Sequence, residues 1–179
     1  MRKFLKSFLE TFQTVAISVA IVLIVRAFVA QPFLVSGSSM EPTFTDGDYL
    51  LIDEISYRFR EPERGEVIVF RYPGDHRSFY IKRVIGLPGE RVVIASSTVT
   101  VYGADGTKAL HEPYIANGSY AGAFDGTLAD GQYFMMGDNR NFSYDSRSWG
   151  PLAKDDISGL VRFRLWPIET AKAFSAPSY

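Results

Sequence analysis

The sequence of 179 residues contains no cysteine, which excludes a disulfide framework, a thiolate nucleophile and any metal site built on cysteine. Histidine is scarce as well: His76 and His111 both stand in predicted loops, which leaves little room for a histidine-rich metal centre. Neither sign of charge is in excess, because the sequence contains 19 Lys and Arg residues and 20 Asp and Glu residues. A net charge of −1 creates no basic field for nucleic acid. We therefore expect no metal, no cofactor and no nucleic-acid partner.

Long apolar runs are also scarce, and the one present occupies residues 12–30, where 15 of 19 residues are apolar. Because a helix rises about 1.5 Å per residue, this run approaches the roughly 30 Å hydrocarbon thickness of a bilayer. Arg2, Lys3 and Lys6 precede it, and the positive-inside rule keeps such a basic end in the cytoplasm. The run predicts a single-pass anchor in the plasma membrane. Residues 1–11 would form a cytoplasmic tail, and residues 31–179 an extracytoplasmic domain.

A cleavable signal peptide is the alternative interpretation of this run, because it shares the basic start and the apolar centre. The run is longer than a usual signal-peptide core. Its end reads Phe28-Val29-Ala30 and so lacks an Ala-x-Ala cleavage site. These two features favour an uncleaved anchor.

Beyond the apolar run the pattern changes to short β-branched and aromatic segments, at residues 49–52, 66–70, 79–85, 91–94, 98–102, 132–136 and 160–165. Asp-Gly or Asn-Gly pairs at 46–47, 105–106, 117–118 and 125–126 predict tight turns. Residues 111–130 have the weakest pattern and predict a loop-rich surface insertion. The domain is therefore predicted to be mostly β, an antiparallel folded sheet or barrel that follows one N-terminal transmembrane helix.

The segment just after the predicted anchor, residues 37–43 (GSSMEPT), is a candidate site for a nucleophile. Its small residues permit a sharp turn on which backbone N–H groups can converge on an anion. A serine held on such a turn becomes a nucleophile only when a base lies beside it. A plain Ser- and Gly-rich linker between membrane and domain is the alternative.

Lys82 is the candidate base. Strand alternation places it on one face with Tyr80 and Val84, where an ammonium group would lose its hydration. Such burial lowers a lysine pKa by up to about 3–5 units, and a lysine that is neutral near pH 7 can accept a serine proton. A lysine on the solvent face of an edge strand is the alternative.

Residues 137–150 place carboxylates, arginines, hydroxyls and glycines in a loop after a strand. An ion pair between Asp145 and Arg147 would hold this loop, and Ser143 is a hydroxyl that could orient the base. An oxygen-rich calcium loop is the alternative, but the interspersed arginines argue against a bound cation.

Four segments, in this order, resemble the motifs of type I signal peptidases, the membrane-bound Ser–Lys proteases that remove signal peptides from exported proteins. These segments are residues 39–43 (SMEPT), 64–70 (RGEVIVF), 80–89 (YIKRVIGLPG) and 137–147 (GDNRNFSYDSR). The resemblance covers nearly the whole chain and is closest to the compact single-span form typical of Gram-positive members. It implies Ser39 as the nucleophile, Lys82 as the general base, Ser143 as the lysine-orienting hydroxyl and Asp145–Arg147 as a structural ion pair.

The resemblance also implies a substrate and its partners. Signal-peptide-bearing preproteins would be cut after the small residues of an Ala-x-Ala sequence, beside the lipid bilayer and near a translocon. Shallow pockets for those residues would be lined by Phe33, Val35, Met40, Val69, Tyr80 and Ile81.

The sequence departs from the family pattern at two places. Gly37 replaces a serine that some members use as an oxyanion donor, so the oxyanion hole would rest on the backbone at Ser39 and Gly37. Asn141-Phe142 stands where many members carry Asp-Asn, which changes the charge of the loop.

Two other functions stay open on the sequence. A self-cleaving protease of the SOS-repressor type has a related dyad, but such proteins are cytosolic. A membrane-tethered β module without catalysis would tolerate replacement of Ser39 and Lys82.

Overall fold

The computed structural model describes residues 2–28, 30–104, 106–115 and 118–177, and the side chains of residues 6–22 and of those from residue 31 onward. Within these ranges a long N-terminal helix is followed by twelve strands and one short helix. The elements are α1 (Arg2–Phe28), β1 (Ala30–Leu34), β2 (Tyr49–Asp53), β3 (Val67–Tyr72), β4 (Asp75–Gly86), β5 (Arg91–Ala95), β6 (Thr98–Gly103), β7 (Gly106–Ala109), β8 (Phe124–Thr127), β9 (Gln132–Met136), α2 (Ser146–Trp149), β10 (Leu152–Ala153), β11 (Ile157–Trp166) and β12 (Lys172–Ala173). The predicted mostly β, antiparallel class is confirmed.

The larger sheet has the strand order β1-β2-β11-β3-β4-β9-β10, and β12 pairs with β11. All of its pairs are antiparallel, and β3 and β4 form a long hairpin in which Ile68 faces Lys82 and Phe70 faces Tyr80. β9 pairs with β4 only at Arg83 and beyond, so residues 75–82 of β4 have no partner strand on that side among the described residues. The outer edge of β1 is open in the same sense. The outer edge of β1 and residues 75–82 of β4 are therefore both without a partner strand in the described part of the chain.

The smaller sheet has the order β7-β6-β5-β8 and corrects one sequence prediction. The Asp125-Gly126 pair is not a turn, because it lies inside β8 and pairs with Val92 and Val93 of β5. Residues 111–130 are also more than a surface insertion, since Tyr120 and Leu128 are buried in the core of this sheet. The pair at 46–47 does form a turn, whereas residues 105 and 117 of the other two pairs lie outside the described residues.

Helix α1 covers most of the apolar run at residues 12–30. Residue 29 lies outside the described residues, and Ala30 already belongs to β1. Over the described part of the chain, no helix meets the combined length and hydropathy needed to cross a membrane. The side chains of residues 6–22 are exposed, apolar ones such as Phe12 and Val22 included.

Candidate active site

The turn that carries Ser39 leaves the end of β1 and returns to β2. Gly37 adopts φ +95°, a left-handed conformation that favours glycine, and its N–H donates to Asp46 Oδ1 over 2.7 Å. The two limbs are joined by backbone bonds from Val35 N to Asp48 O (2.9 Å) and from Gly47 N to Val35 O (3.0 Å). Met40 and Phe44 are buried beneath the turn. This packing makes the segment part of the fold rather than a linker.

Lys82 Nζ lies 2.7 Å from Ser39 Oγ and 2.9 Å from the carbonyl oxygen of Ile81. Lys82 is 4% exposed, so it does not point into solvent from an edge strand. Burial lowers the pKa of its amine to about 8, against the carboxylates of Asp145 and Asp138, which raise it. A neutral amine at hydrogen-bond distance from a hydroxyl can take its proton. The fold therefore brings the two candidates, 43 residues apart in sequence, within hydrogen-bond distance of each other.

Ser143 lies in the loop after β9, beside the Ser39 turn. A Cβ placed on Gly137 would overlap both Ser143 Oγ and the carbonyl oxygen of Ser39, so this glycine allows the two segments to approach closely. Ser143 Oγ is buried and has no hydrogen-bond partner in the described structure. The structure therefore brings Ser143 to the site but shows no bond from it to Lys82.

The predicted ion pair is present. Asp145 is fully buried and accepts from Arg147 Nε and Nη2, each over 2.8 Å. Asp145 Oδ2 also accepts from the N–H of Gly137 over 3.1 Å, and Arg147 Nη2 donates to the carbonyl oxygen of Arg140 over 2.7 Å. The pair thus fixes both ends of the loop that carries Ser143.

A second buried ion pair, between Arg83 and Asp138, lies next to the site and was not predicted from the sequence. Arg83 Nε and Nη2 donate to the two carboxylate oxygens of Asp138 over 2.8 and 2.6 Å. Thr43 Oγ1 donates to the same carboxylate over 2.5 Å, which links this pair to the turn that carries Ser39. Arg83 follows Lys82 on β4, so the alternation that turns Lys82 toward Ser39 turns Arg83 to the opposite face. The sequence did contain one signal for this ion pair, an arginine inside an otherwise apolar strand. It did not indicate the partner, which lies 55 residues away.

Two backbone N–H groups, those of Ser39 and Gly37, are the predicted oxyanion donors, and only that of Ser39 is free to donate to a substrate in the described structure. The N–H of Ser39 has no acceptor among the described residues. The N–H of Gly37 is already donated to Asp46 Oδ1. Assigning Gly37 as a donor is therefore wrong for this conformation, because its single backbone N–H is in use.

A cavity of about 350 Å³ adjoins the Ser39–Lys82 pair. Of the six predicted pocket residues, five line it: Phe33, Val35, Val69, Tyr80 and Ile81. Met40 does not, because it is 1% exposed and packed in the core under the turn. The sequence did not predict the contributions of Phe79, Phe142 and Tyr144, which also line the cavity.

Comparison with known proteins points in the same direction. The family model described as "Signal peptidase, peptidase S26" matches residues 8–166. The chain is 41% identical over 169 residues to a probable signal peptidase I-2 of Synechocystis, covering 90% of this chain and 75% of the relative. It is 34% identical over 185 residues to signal peptidase IB of Staphylococcus aureus, covering 93% and 94% of the two chains.

A crystal structure of a signal peptidase I from Enterococcus faecalis is similar in fold, with a TM-score of 0.50 and 31% sequence identity. The match covers 56% of this chain and 97% of that one. The family model spans the turn that carries Ser39, the strand of Lys82 and the loop of Ser143 together. On this evidence the chain belongs to the signal peptidase family, peptidase S26.

Proposed function

We propose that this chain is a serine endopeptidase that removes signal peptides from exported proteins, with Ser39 as the nucleophile and Lys82 as the general base. The observation that carries the proposal is the 2.7 Å separation of Ser39 Oγ and Lys82 Nζ, with the amine buried. A non-catalytic β module gives no reason for a buried amine at a hydroxyl. The SOS-repressor type is disfavoured because the named relatives are signal peptidases.

The reaction proceeds by acyl transfer. Ser39 Oγ attacks the scissile carbonyl as Lys82 Nζ takes its proton, and the negative charge that forms on the carbonyl oxygen is stabilised by the N–H of Ser39. Lys82 then gives the proton to the leaving amine, and the C–N bond breaks to leave an ester on Ser39. Lys82, neutral again, next takes a proton from a water molecule, which attacks the ester and restores Ser39.

Ser143 is proposed to hold Lys82 in position during these steps. Its buried hydroxyl has no partner in the described structure and lies in the loop packed against the Ser39 turn. When Lys82 becomes an ammonium it needs additional acceptors, because burial has removed its water. A hydroxyl oxygen at this place supplies one.

The substrate is proposed to bind as an extended strand between the free edges of β1 and β4. Backbone pairing at a strand edge gives affinity, and pockets for alternate side chains give specificity. The apolar walls formed by Phe33, Val35, Val69 and Ile81 suit the small residues of Ala-x-Ala.

Residues 12–30 are proposed to anchor the enzyme in the plasma membrane, with residues 1–11 in the cytoplasm and residues 31–179 outside. The apolar sequence supports this, and so do the exposed side chains along α1, such as Phe12 and Val22. Leu34, Tyr49 and Trp166 lie side by side across β1, β2 and β11 and are about half exposed. We propose that they face the same bilayer, which places the site near its substrates and near a translocon.

The test uses purified full-length protein in detergent with a peptide that carries Ala-x-Ala. We expect cleavage after the second alanine, and loss of cleavage in Ser39→Ala and in Lys82→Ala, both with unchanged circular dichroism. Ser148→Ala and Lys172→Ala, at exposed positions outside the cavity, are the matched controls and should cleave normally. Normal cleavage by either dyad variant contradicts the proposal.

A further inference from the structure

An aromatic wall, formed by Tyr72, Tyr80 and Tyr144, borders the active-site cavity on the face of β4 that carries Lys82. Tyr72 stacks on Tyr80 with ring centroids 4.7 Å apart and an interplanar angle of 11°. The hydroxyls of Tyr72 and Tyr144 lie 3.2 Å apart, and the two rings meet edge to face at 6.0 Å. Tyr80 and Tyr144 line the cavity. Nothing in the acyl-transfer steps requires these rings.

The wall is held in place from several sides. The ring of Tyr72 covers Gly74, where a Cβ would overlap it, and also contacts Trp149 edge to face at 6.2 Å. Tyr80 in turn contacts Phe70 of the neighbouring strand at 6.3 Å. Tyr144 nevertheless stays 53% exposed, so it presents a preformed apolar surface to the cavity. Rings fixed in this way lose little conformational entropy when they contact a ligand.

The geometry of the β4 edge determines which part of a substrate the wall meets. The free edge covers residues 75–82 and ends where Arg83 pairs with Met136. Because Lys82 is at the end of this edge and contacts Ser39, we place the substrate residues that precede the scissile bond against residues 75–82. Side chains of an extended peptide alternate between the two faces of the sheet.

The two faces of β4 differ in the space they offer. Ile81 and its cross-strand neighbour Val69 are on the face with Phe33 and Val35, which forms the compact apolar pocket. Tyr80 and Lys82 are on the opposite face. If the two small residues of Ala-x-Ala enter the first face, the middle residue x is directed to the second, toward Tyr80 and Tyr144. Tyr80, which the resemblance assigns to the pockets for the small residues, then belongs to the aromatic wall instead.

We propose that the aromatic wall is a specificity-determining subsite for the middle residue of the Ala-x-Ala sequence, and that it selects apolar and aromatic side chains there. The inference rests on the proposed function and adds a preference to it. Phe142, 73% exposed and lining the same cavity, extends the wall at its open side. The loop departure at Asn141-Phe142 thereby gains a role in substrate choice.

The test compares kcat/KM for three peptides that differ only in x, which is Ala, Leu or Phe. Both Leu and Phe would bury apolar surface against the rings, so the native enzyme should prefer them over Ala by about two- to tenfold. Tyr144→Ala should reduce that ratio to near one. Tyr144→Phe keeps the ring and should retain most of the ratio, whereas Phe59→Ala, at a position 84% exposed and outside the cavity, should retain all of it.

The outcomes separate this inference from the proposed function. If Ser39→Ala cleaves the peptides as well as the native enzyme, the proposed function fails. If the native enzyme cleaves with a Ser39-dependent rate but Tyr144→Ala lowers all three rates equally, the function stands and the subsite is overturned. The subsite is also overturned if the native enzyme shows no preference at x, or if the preference changes at a flanking alanine position instead.

Discussion

The N–H of Asn139 donates to the carbonyl oxygen of Ser39 over 3.0 Å and so joins the turn that carries Ser39 directly to the loop of Ser143. The side-chain amide of Asn139 donates to the carbonyl oxygen of Ser38, also over 3.0 Å. Two bonds from one residue thus fix the backbone on both sides of the Ser38–Ser39 peptide. The position of the Ser39 hydroxyl therefore depends on a loop about 100 residues away in sequence.

Gly137→Ala should lower kcat/KM by at least tenfold with a smaller effect on KM than on kcat. The added Cβ would overlap Ser143 Oγ and the Ser39 carbonyl oxygen, so the two segments must separate and the Ser39–Lys82 contact lengthens. Steady-state kinetics on the Ala-x-Ala peptide measure this. Gly118→Ala is the control, since a Cβ there meets nothing within 4 Å. Equal activity of the two variants would show that the Ser39–Lys82 contact does not depend on the close approach at Gly137.

The rate of cleavage should rise with pH through a pKa of about 8. Only the neutral amine of Lys82 can take the Ser39 proton, and its pKa is lowered to about 8 by burial. Near pH 7 about a tenth of the enzyme is then active, and each further unit of acidification lowers kcat/KM about tenfold. A profile of kcat/KM between pH 6 and 10, with a peptide that has no ionisable side chain near the cut, measures the limb. A flat profile over this range would exclude Lys82 as the base.

Lys82→Met should be inactive yet more stable than the native protein at pH 7. The folded-state pKa of about 8 lies below the ordinary value of 10.5, so the protonated lysine destabilises the fold. This penalty, about 3 kcal/mol at most, is fully present below pH 8 and disappears as the pH rises toward 10.5. Thermal unfolding of both proteins at pH 7 and at pH 10 measures it. The gain in stability should shrink at the higher pH, and a constant gain would show that packing alone explains it.

Asp145→Asn should destabilise the fold by about 3–5 kcal/mol, because one partner of a buried ion pair is removed. Denaturant unfolding measures the change. Asp125→Asn is the control. It breaks the ion pair between Asp125 and Arg91, two side chains that are each about half exposed, and should leave the free energy of unfolding nearly unchanged. A loss no larger than that of the Asp125 variant would contradict the role of Asp145.

The same variant has an effect on the reaction. Asp145 raises the pKa of Lys82 by its charge, so its neutralisation should move the acid limb of the pH profile to lower pH. The Asp125 variant should leave the limb in place, since Asp125 lies on β8 of the smaller sheet and pairs with Arg91. If the acid limb stays at the same pH in Asp145→Asn, the charge of Asp145 does not influence the pKa of Lys82, and its role is structural only.

Local pattern was enough for most of the strands and for the orientation of Lys82. Alternation along β4 places Lys82 and Arg83 on opposite faces whatever partner each has, because the period of a strand is fixed by its backbone. The same local reasoning failed at Asp125-Gly126. Turn propensity was overridden there by pairing with β5 and by the packing of Phe124 on Phe134, with ring centroids 4.3 Å apart.

The sequence by itself determined that a serine turn, a strand lysine and a polar loop exist in that order, with an apolar helix before them. Only the tertiary structure decided that Ser39 and Lys82 meet. The same holds for the hydrogen bond from the N–H of Gly37 to Asp46, and for Met40, which packs under the turn and does not line the pocket. The reason is physical: a backbone pattern fixes the direction of each side chain. Distances between segments depend on how sheets and loops pack, and no short window of sequence encodes them.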